Sequence, residues 1–268
     1  MEKVKVTGSS DRNPATPSLR ENQLDQANIE NLTTLWRVMG AQRVYGEPSE
    51  QFYACNRWPN RHWFAAGSVP LAETLAHILN SLPPSATVPV WGDAAGLSGA
   101  LSEVQNEALH NAGFKIGSEQ RAMHMELAQW QPALTNSALN LTQVRSAAEL
   151  EHWVRICSDA FGYEIDTGVM ANAAANPETG LWLAEQEGVA VATALLFRTG
   201  DVIGIHQVAV PDAYRGRGIA RALMQQLLNH CQQTGARYAT LQASTMGEGL
   251  YRQLGFKPRF LITNYRRN

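Results

Sequence analysis

A chain of 268 residues is longer than the roughly 100 to 150 of one typical domain, and so predicts two modest domains or one large α/β unit. Hydrophobic residues make up 44% and charged residues only 17%, against about 25% in a typical soluble domain, which excludes a disordered chain and leaves neutral polar groups much of the surface. With 22 basic and 24 acidic side chains, a net charge of −2 and an isoelectric point near 6.4, a nucleic acid is excluded as the main partner.

Residues 1–23 mix Ser, Pro, Asn and Gly without apolar periodicity and predict an irregular arm. Met1 to Val6 lead into polar Thr7-Gly8-Ser9-Ser10 rather than the core of a signal peptide, and no run approaches the roughly 18 apolar residues of a membrane span. The expectation is a cytoplasmic protein without a membrane partner. A helical period in Ala27, Ile29, Leu32, Leu35, Trp36 and Met39 closes at Gly40. Trp63-Phe64-Ala65 reads as extended, Gly67-Ser68-Val69-Pro70 as a loop, Leu71 to Leu82 as a helix stopped by Pro83-Pro84, and Val88 to Trp91 as a buried strand. A helix over Leu97 to Ala112 and an alternating strand from Met123 to Leu127 complete a first unit over residues 24–135, with the boundary near Asn140.

The second unit, residues 141–268, restarts with a strand over Leu141 to Val144 and a helix headed by Ser146 and Glu149, the spacing of a capping box, that ends before Gly162. Leu181 to Glu185 and Val189 to Arg198 form a predicted hairpin around Gln186-Glu187-Gly188, and a third strand runs from Val202 to Val210. A helix from Ile219, the strand Tyr238 to Ala243, a short helix Gly247 to Leu254 and an extended Phe256 to Arg266 follow. Cys55, Cys157 and Cys231 are odd in number and far apart, so they offer neither a disulfide framework nor a metal site and are expected as buried thiols. No metal is expected.

The informative stretch is Ile205 to Ala220, an apolar strand that feeds Arg215-Gly216-Arg217-Gly218 and then a new helix. Backbone amides of such a turn, together with a helix N-terminus, make a nest for a phosphate or pyrophosphate, although tight turns need glycine in any case. Arg215, Gly218 and Ala220 fill the Arg/Gln-x-x-Gly-x-Gly/Ala pattern, and Leu250-Tyr251-Arg252-Gln253-Leu254-Gly255-Phe256 fills Leu-Tyr-x-x-x-Gly-Phe further on. Together these two motifs resemble the GNAT superfamily of acyl-CoA-dependent N-acyltransferases.

The resemblance covers about the last 128 residues. It implies an α+β fold with a mixed sheet, acetyl-CoA as acyl donor, and transfer to a primary amine of a small molecule or a protein. It further implies that Val208, Ala209 and Val210 pair with the pantetheine arm through their backbone. Gly216, Arg217, Gly218, Ile219, Ala220 and Arg221 would hold the pyrophosphate, with Arg215, Arg217 and Arg221 answering its charge. Ser244 stands where many relatives place an Asn that touches the CoA arm. Tyr251 is the candidate acid for the departing thiolate, since a phenol of pKa near 10 can protonate it. His206 is either a base or a satisfied core histidine. Glu164 and Asp166 lie in a loop that either helps to form the acceptor pocket or is simply solvated.

The first unit repeats the order of the second: helix, strand, helix, Gly113-Phe114, strand. Aligning Gly113-Phe114 with Gly255-Phe256 places Leu109 on Tyr251, and no Arg-x-x-Gly-x-Ala precedes the corresponding helix. The expectation is a degenerate GNAT-like α/β domain, or failing that an unrelated α/β cap. Trp58-Pro59-Asn60-Arg61-His62-Trp63 is rich in groups that could line an acceptor groove walled by both units. A competing reading is a non-catalytic acyl-CoA-binding regulator. The sequence leaves the oligomeric state open.

Overall fold

A computed structural model of the chain describes residues 18–46, 51–65, 68, 70–92, 99–132 and 139–267. Residues 1–17 of the expected arm, Gly67 and Val69 of the expected loop, and the expected helix start at Leu97 lie outside the described residues.

Local rules account for most elements. Helix α1 (Glu21–Val38) begins within the stretch expected as an arm and ends where Gly40 takes a φ of 108°, accessible to glycine and costly for other residues. Two of the three strands that follow, β1 (Gln42–Tyr45) and β2 (Phe52–Ala54), were not expected, and with β3 (His62–Phe64) they form a small antiparallel sheet. Next come α2 (Ala72–Ser81), β4 (Thr87–Trp91), α3 (Gly99–Asn111), β5 (Lys115–Glu126) and β6 (Leu139–Gln143). Helix α4 (Ala147–Phe161) starts in a reciprocal cap. Ser146 Oγ accepts from the Glu149 N–H at 3.3 Å, and Glu149 Oε2 accepts from the Ser146 N–H at 2.9 Å. An unexpected short helix α5 (Thr167–Ala174) follows, then β7 (Thr179–Gln186), β8 (Val189–Thr199), β9 (Val202–Ala209), α6 (Ile219–Gln233), β10 (Tyr238–Ser244), α7 (Glu248–Gln253) and β11 (Lys257–Arg266).

Eight of these strands form one sheet in the order β4-β11-β5-β10-β9-β8-β7-β6, in which only β9 and β10 run parallel. The boundary expected near Asn140 does not divide this sheet. Strand β5 of the first unit lies between β10 and β11 of the second, and β11 lies between β4 and β5.

The register at the centre is self-complementary. Gln120 pairs with Ile262, Glu119 with Thr263 and Arg121 with Leu261. When Gly113-Phe114 is matched to Gly255-Phe256, Gln120 falls on Ile262, so a local two-fold passes through that pair and interchanges its neighbours. The same rotation carries Ser244–Gln120 and Ala243–Arg121 of one ladder onto Trp91–Ile262 and Val90–Thr263 of the other.

One face of the sheet is covered by α1, α4 and α5, and the other by α6. Trp153 of α4 is fully buried and donates from Nε1 to the carbonyls of Trp182 and Ala194 at 3.1 and 3.2 Å. Burial of such apolar surface is the main favourable term. Helix α1 docks through polar residues as well. Asn28 Nδ2 donates to the Met123 carbonyl at 3.0 Å and Asn31 Nδ2 to that of Phe197 at 2.9 Å, while Asp25 accepts from Arg259 Nε and Nη2, both at 2.9 Å. Each polar group thus enters the interior with a partner, which is what makes its burial tolerable. The three cysteines are free and buried.

Candidate active site

The site begins where the parallel pair of the large sheet, β9 and β10, separates. β9 and β10 are paired through Val202–Tyr238, Ile203–Ala239 and Gly204–Thr240 and no further, so the edge of β9 beyond Gly204 has no strand partner on the β10 side. A bulge helps to turn that edge. Gln207 has a φ of 49°, and the stretch from His206 to Ala209 opposes only Leu195 to Thr193 of β8. Thr193 Oγ1 donates to the Gln207 carbonyl at 3.1 Å, which holds the bulge in place.

Gly204 lies where Asn31 of α1 comes close against β9. A Cβ there would stand 1.9 Å from Asn31 Oδ1 and 2.3 Å from His206 Nε2. His206 is buried, with Nε2 3.0 Å from Asn31 Oδ1. Asn31 Nδ2 faces two acceptors, the Phe197 carbonyl and Thr199 Oγ1 at 3.0 Å, so its Oδ1 is the end presented to the ring. The imidazole therefore carries its proton on Nε2 and keeps a lone pair on Nδ1. Burial pushes its pKa down to about 4, an effect that the neighbouring Gln242 amide opposes only in part, so the ring is neutral at pH 7.

Beyond β9 a 3₁₀ turn, Asp212–Tyr214, leads to the glycine loop. Gly216 and Gly218 both have a φ of 75°, and a Cβ on either would meet nothing within 4 Å. Glycine is needed here for backbone conformation, and the space in front of the loop is open. Arg215 is spent on scaffolding. Its Nε and Nη2 donate to the carbonyls of Val210 and Ala160 at 3.0 and 2.9 Å, and Nη1 pairs with Asp212 at 2.5 Å. Arg217 and Arg221 are exposed beside the loop, the first over the Tyr214 ring at 5.6 Å and the second donating to Gln253 Oε1.

Ser244 lies at the end of β10, where its Oγ accepts from the Gly247 N–H at 3.2 Å. Tyr251 follows on α7, close enough that a Cβ at Gly247 would stand 3.1 Å from its ring. Burial pushes the phenol up to about 12, so it remains protonated through neutral pH.

A cavity of 660 Å³ collects these groups. The second unit lines it with Glu164, His206, Val208, Gln242, Ser244 and Tyr251, and the first with Trp36, Trp58, Asn60 and Arg61. Ala209, Val210 and the glycine loop lie outside this lining, as does Asp166. Asp166 caps α5, accepting from the Val169 N–H at 3.0 Å, and pairs with Arg57 at 2.7 Å; these bonds hold its carboxyl below the ordinary range against partial desolvation. His62 and Trp63 belong to the interior. Asn31 and Gln242, which set the tautomer and surroundings of His206, were not anticipated. Polar residues on an otherwise amphipathic helix and on a strand give no sign in sequence that they are buried. Among the described residues no group of His, Cys, Asp or Glu is arranged to hold a metal ion, and no helix is long and apolar enough to cross a membrane.

Residues 147–256 match the model of the Acetyltransferase (GNAT) family. A GCN5-related N-acetyltransferase from Kribbella flavida superposes with a TM-score of 0.65 at 18% identity, over 92% of this chain and 95% of its own. Another from Sphaerobacter thermophilus gives 0.60 at 18%, over 85% and 80%. A GCN5-related N-acetyltransferase-like protein from Streptococcus suis gives 0.57 at 15%, over 92% and 99%. No curated protein sequence matches. The fold is the α+β GNAT fold, and the likeness to these structures extends through the first unit as well as residues 147–256.

Proposed function

We propose that the protein is an acetyl-CoA-dependent N-acetyltransferase acting on a primary amine. The observation that carries this reading is that the unpaired edge of β9, the end of β10 and Tyr251 all meet one cavity, with a positive-φ diglycine loop at the head of the next helix. The residues fit the donor. The space in front of Gly216 and Gly218 is open, and the first-turn amides of α6 supply the positive end of a helix dipole for a pyrophosphate. Arg217 and Arg221 add charge nearby. In this reading the backbone of Val208, Ala209 and Val210 would pair with the pantetheine arm as an added strand, a role supported by the edge of β9 left unpaired beyond Gly204.

Acetyl-CoA supplies the thioester. The amine nitrogen forms a bond to the thioester carbonyl carbon, the carbon–sulfur bond breaks, and the amine loses a proton. Backbone amides at the bulge after His206 offer donors where negative charge develops on the carbonyl oxygen. Tyr251 gives its phenol proton to the sulfur and regains one from solvent after the product leaves; burial raises its pKa, and the same burial raises the basicity of the thiolate it serves. His206, with a pKa near 4, is too weak a base to deprotonate an ammonium and instead accepts a hydrogen bond through Nδ1, orienting the neutral amine. The amine's proton leaves to solvent through the open mouth, past Glu164.

The first unit supplies the other wall of the groove. Its reading as a degenerate GNAT-like domain rests on the local two-fold and on the matched helix ends, and a cytoplasmic location is proposed with it. An acyl-CoA-binding regulator would have no use for a phenol in the cavity. A thiol-release assay with acetyl-CoA over a panel of primary amines tests the reading. Turnover on at least one amine is expected. CoA binding without turnover on any of them favours the regulator.

A further inference from the structure

Arg61 is a half-buried cation of the cavity lining that the chemistry above does not use. It belongs to the run before β3 and makes one described hydrogen bond, from Nη1 to Asn264 Oδ1 at 3.0 Å, while its guanidinium lies over the Trp36 ring at 5.6 Å. Its Nε is buried without a hydrogen-bond partner. Arg266 lies near it and donates from Nε to Thr87 Oγ1 at 3.1 Å. Among the described residues neither arginine has a carboxylate partner; the acidic side chains that line the cavity are Glu119 and Glu164, and neither pairs with them. A guanidinium has five N–H donors in a fixed fork, and removing such a cation from water without a counter-charge is costly. Burial, with the charge of Arg266 added, holds Arg61 down at about 10. A bound anion would relieve both.

Its position relative to the thioester site follows from the sheet. Arg61 donates to Asn264 on β11, Asn264 Nδ2 donates to Gln120 Oε1 on β5 at 3.3 Å, and Gln120 Nε2 donates to the Gln242 carbonyl on β10 at 3.5 Å. This polar ladder crosses from Arg61 to the splayed strands. From β10 to β11 is two strand spacings, about 10 Å. An α-amino acid, whose carboxylate is one carbon from its nitrogen, is too short to reach both ends.

We infer that the acceptor is an elongated amine with a carboxylate at its far end, and that Arg61 receives the carboxylate while the amine stands beside Val208, His206 and Tyr251. This specifies the substrate class for the N-acetyltransferase reading and rests on it. Initial rates at fixed acetyl-CoA would compare 6-aminohexanoate with 6-aminohexanamide, with glycine, and with 6-aminohexylphosphonate. The carboxylate is expected to raise kcat/KM about 10-fold or more over the amide, the scale of a charge-assisted bond. Glycine should be poor and the phosphonate no better than the carboxylate. Arg61→Met should bring the carboxylate substrate down to the level of the amide, with Arg61→Lys in between. Equal rates for acid and amide, glycine as good as the longer acid, or a preferred phosphonate would overturn the inference. If no amine turns over, the N-acetyltransferase reading fails; calorimetry of 6-acetamidohexanoate against 6-acetamidohexanamide in the presence of CoA still decides the arginine site, and equal binding of the two overturns it. These wild-type measurements decide the matter even if Arg61→Met fails to fold.

Discussion

The chain makes the same turn at the end of α3 and at the end of α7. Gly113 and Gly255 take φ values of 80° and 98°, and the next residue, Phe114 or Phe256, donates its N–H to the carbonyl of Leu109 or Tyr251 at 2.9 or 3.0 Å. Each turn then delivers one strand of the adjacent β5–β11 pair of the shared sheet. The difference that matters lies at the position whose carbonyl accepts the phenylalanine N–H. Leu109 is 1% exposed in the apolar cluster of α2, α3 and β4, whereas Tyr251 faces the cavity. One copy of the corner buries its side chain in the core, and the other uses the same backbone to aim a phenol at the cavity.

The sharpest way to break this comparison is at the two matched positions. Tyr251→Phe should lower the chemical rate by about 10² to 10⁴ in single-turnover assays with little change in CoA affinity, since the ring and its packing remain. A rate within a few-fold of wild type would reduce the second corner to scaffold too. Leu109→Ala should leave kcat per folded molecule unchanged and cost about 2–5 kcal/mol of stability, a fall in Tm of about 5–15 °C for a chain of this size. A catalytic defect in folded Leu109→Ala would show the first corner to be part of the site.

Smaller effects separate site from scaffold within the second unit. His206 has a folded pKa near 4 against an ordinary value of 6.5, so the unfolded chain binds the extra proton first. Its contribution to stability is intact above pH 6.5 and is lost as pH falls from 6.5 toward 4. Denaturant midpoints of wild type and His206→Gln should therefore diverge in slope across that window, and a wild-type excess near pH 6 in the opposite sense would contradict the burial. Gly218→Ala strains a backbone of positive φ by about 1–2 kcal/mol, and calorimetry should find CoA bound about 10-fold more weakly, with Gly113→Ala in the first corner leaving CoA affinity unaltered. Smallest of all, Asp166→Ala should cost about 1 kcal/mol through loss of the α5 cap and leave kcat/KM within a factor of two, because the carboxylate stands outside the cavity. Its exposed pair with Arg57 adds little.

Much of the second unit was legible in sequence because its signals are local. Ser146 and Glu149 cap α4 as their spacing predicts, Gly162 ends it with a φ of 71°, and the strands from β7 to β10 follow their apolar runs. Helix α5 went unread because Thr167 to Ala174 is short and built of small residues, with little contrast between its faces. β1 went unread because all four of its residues are exposed and show no alternation. β5 was expected only from Met123 onward. Its first five residues, Lys115 to Glu119, are exposed and carry no period, yet they pair with β11. The interleaving of β5 with β10 and β11 is a long-range pairing that no local pattern encodes. For the candidate site, the sequence points to His206 and Tyr251 from strand and motif, but the partners of His206, Asn31 and Gln242, lie on elements whose docking no local pattern encodes.

That interleaving also bears on how the protein is made. β4 has β11 as its neighbour, and β5 is held between β10 and β11, so both large-sheet strands of the first unit find their partners more than a hundred residues later. On a ribosome these strands emerge long before residues 238–266, which supply their partners. Until then β4 and β5 present unpaired edges of the kind that join foreign strands. The nascent chain should accordingly lean on chaperones until those residues have emerged, and its first unit should be soluble on its own only when a peptide spanning Phe256 to Arg266 is added in trans.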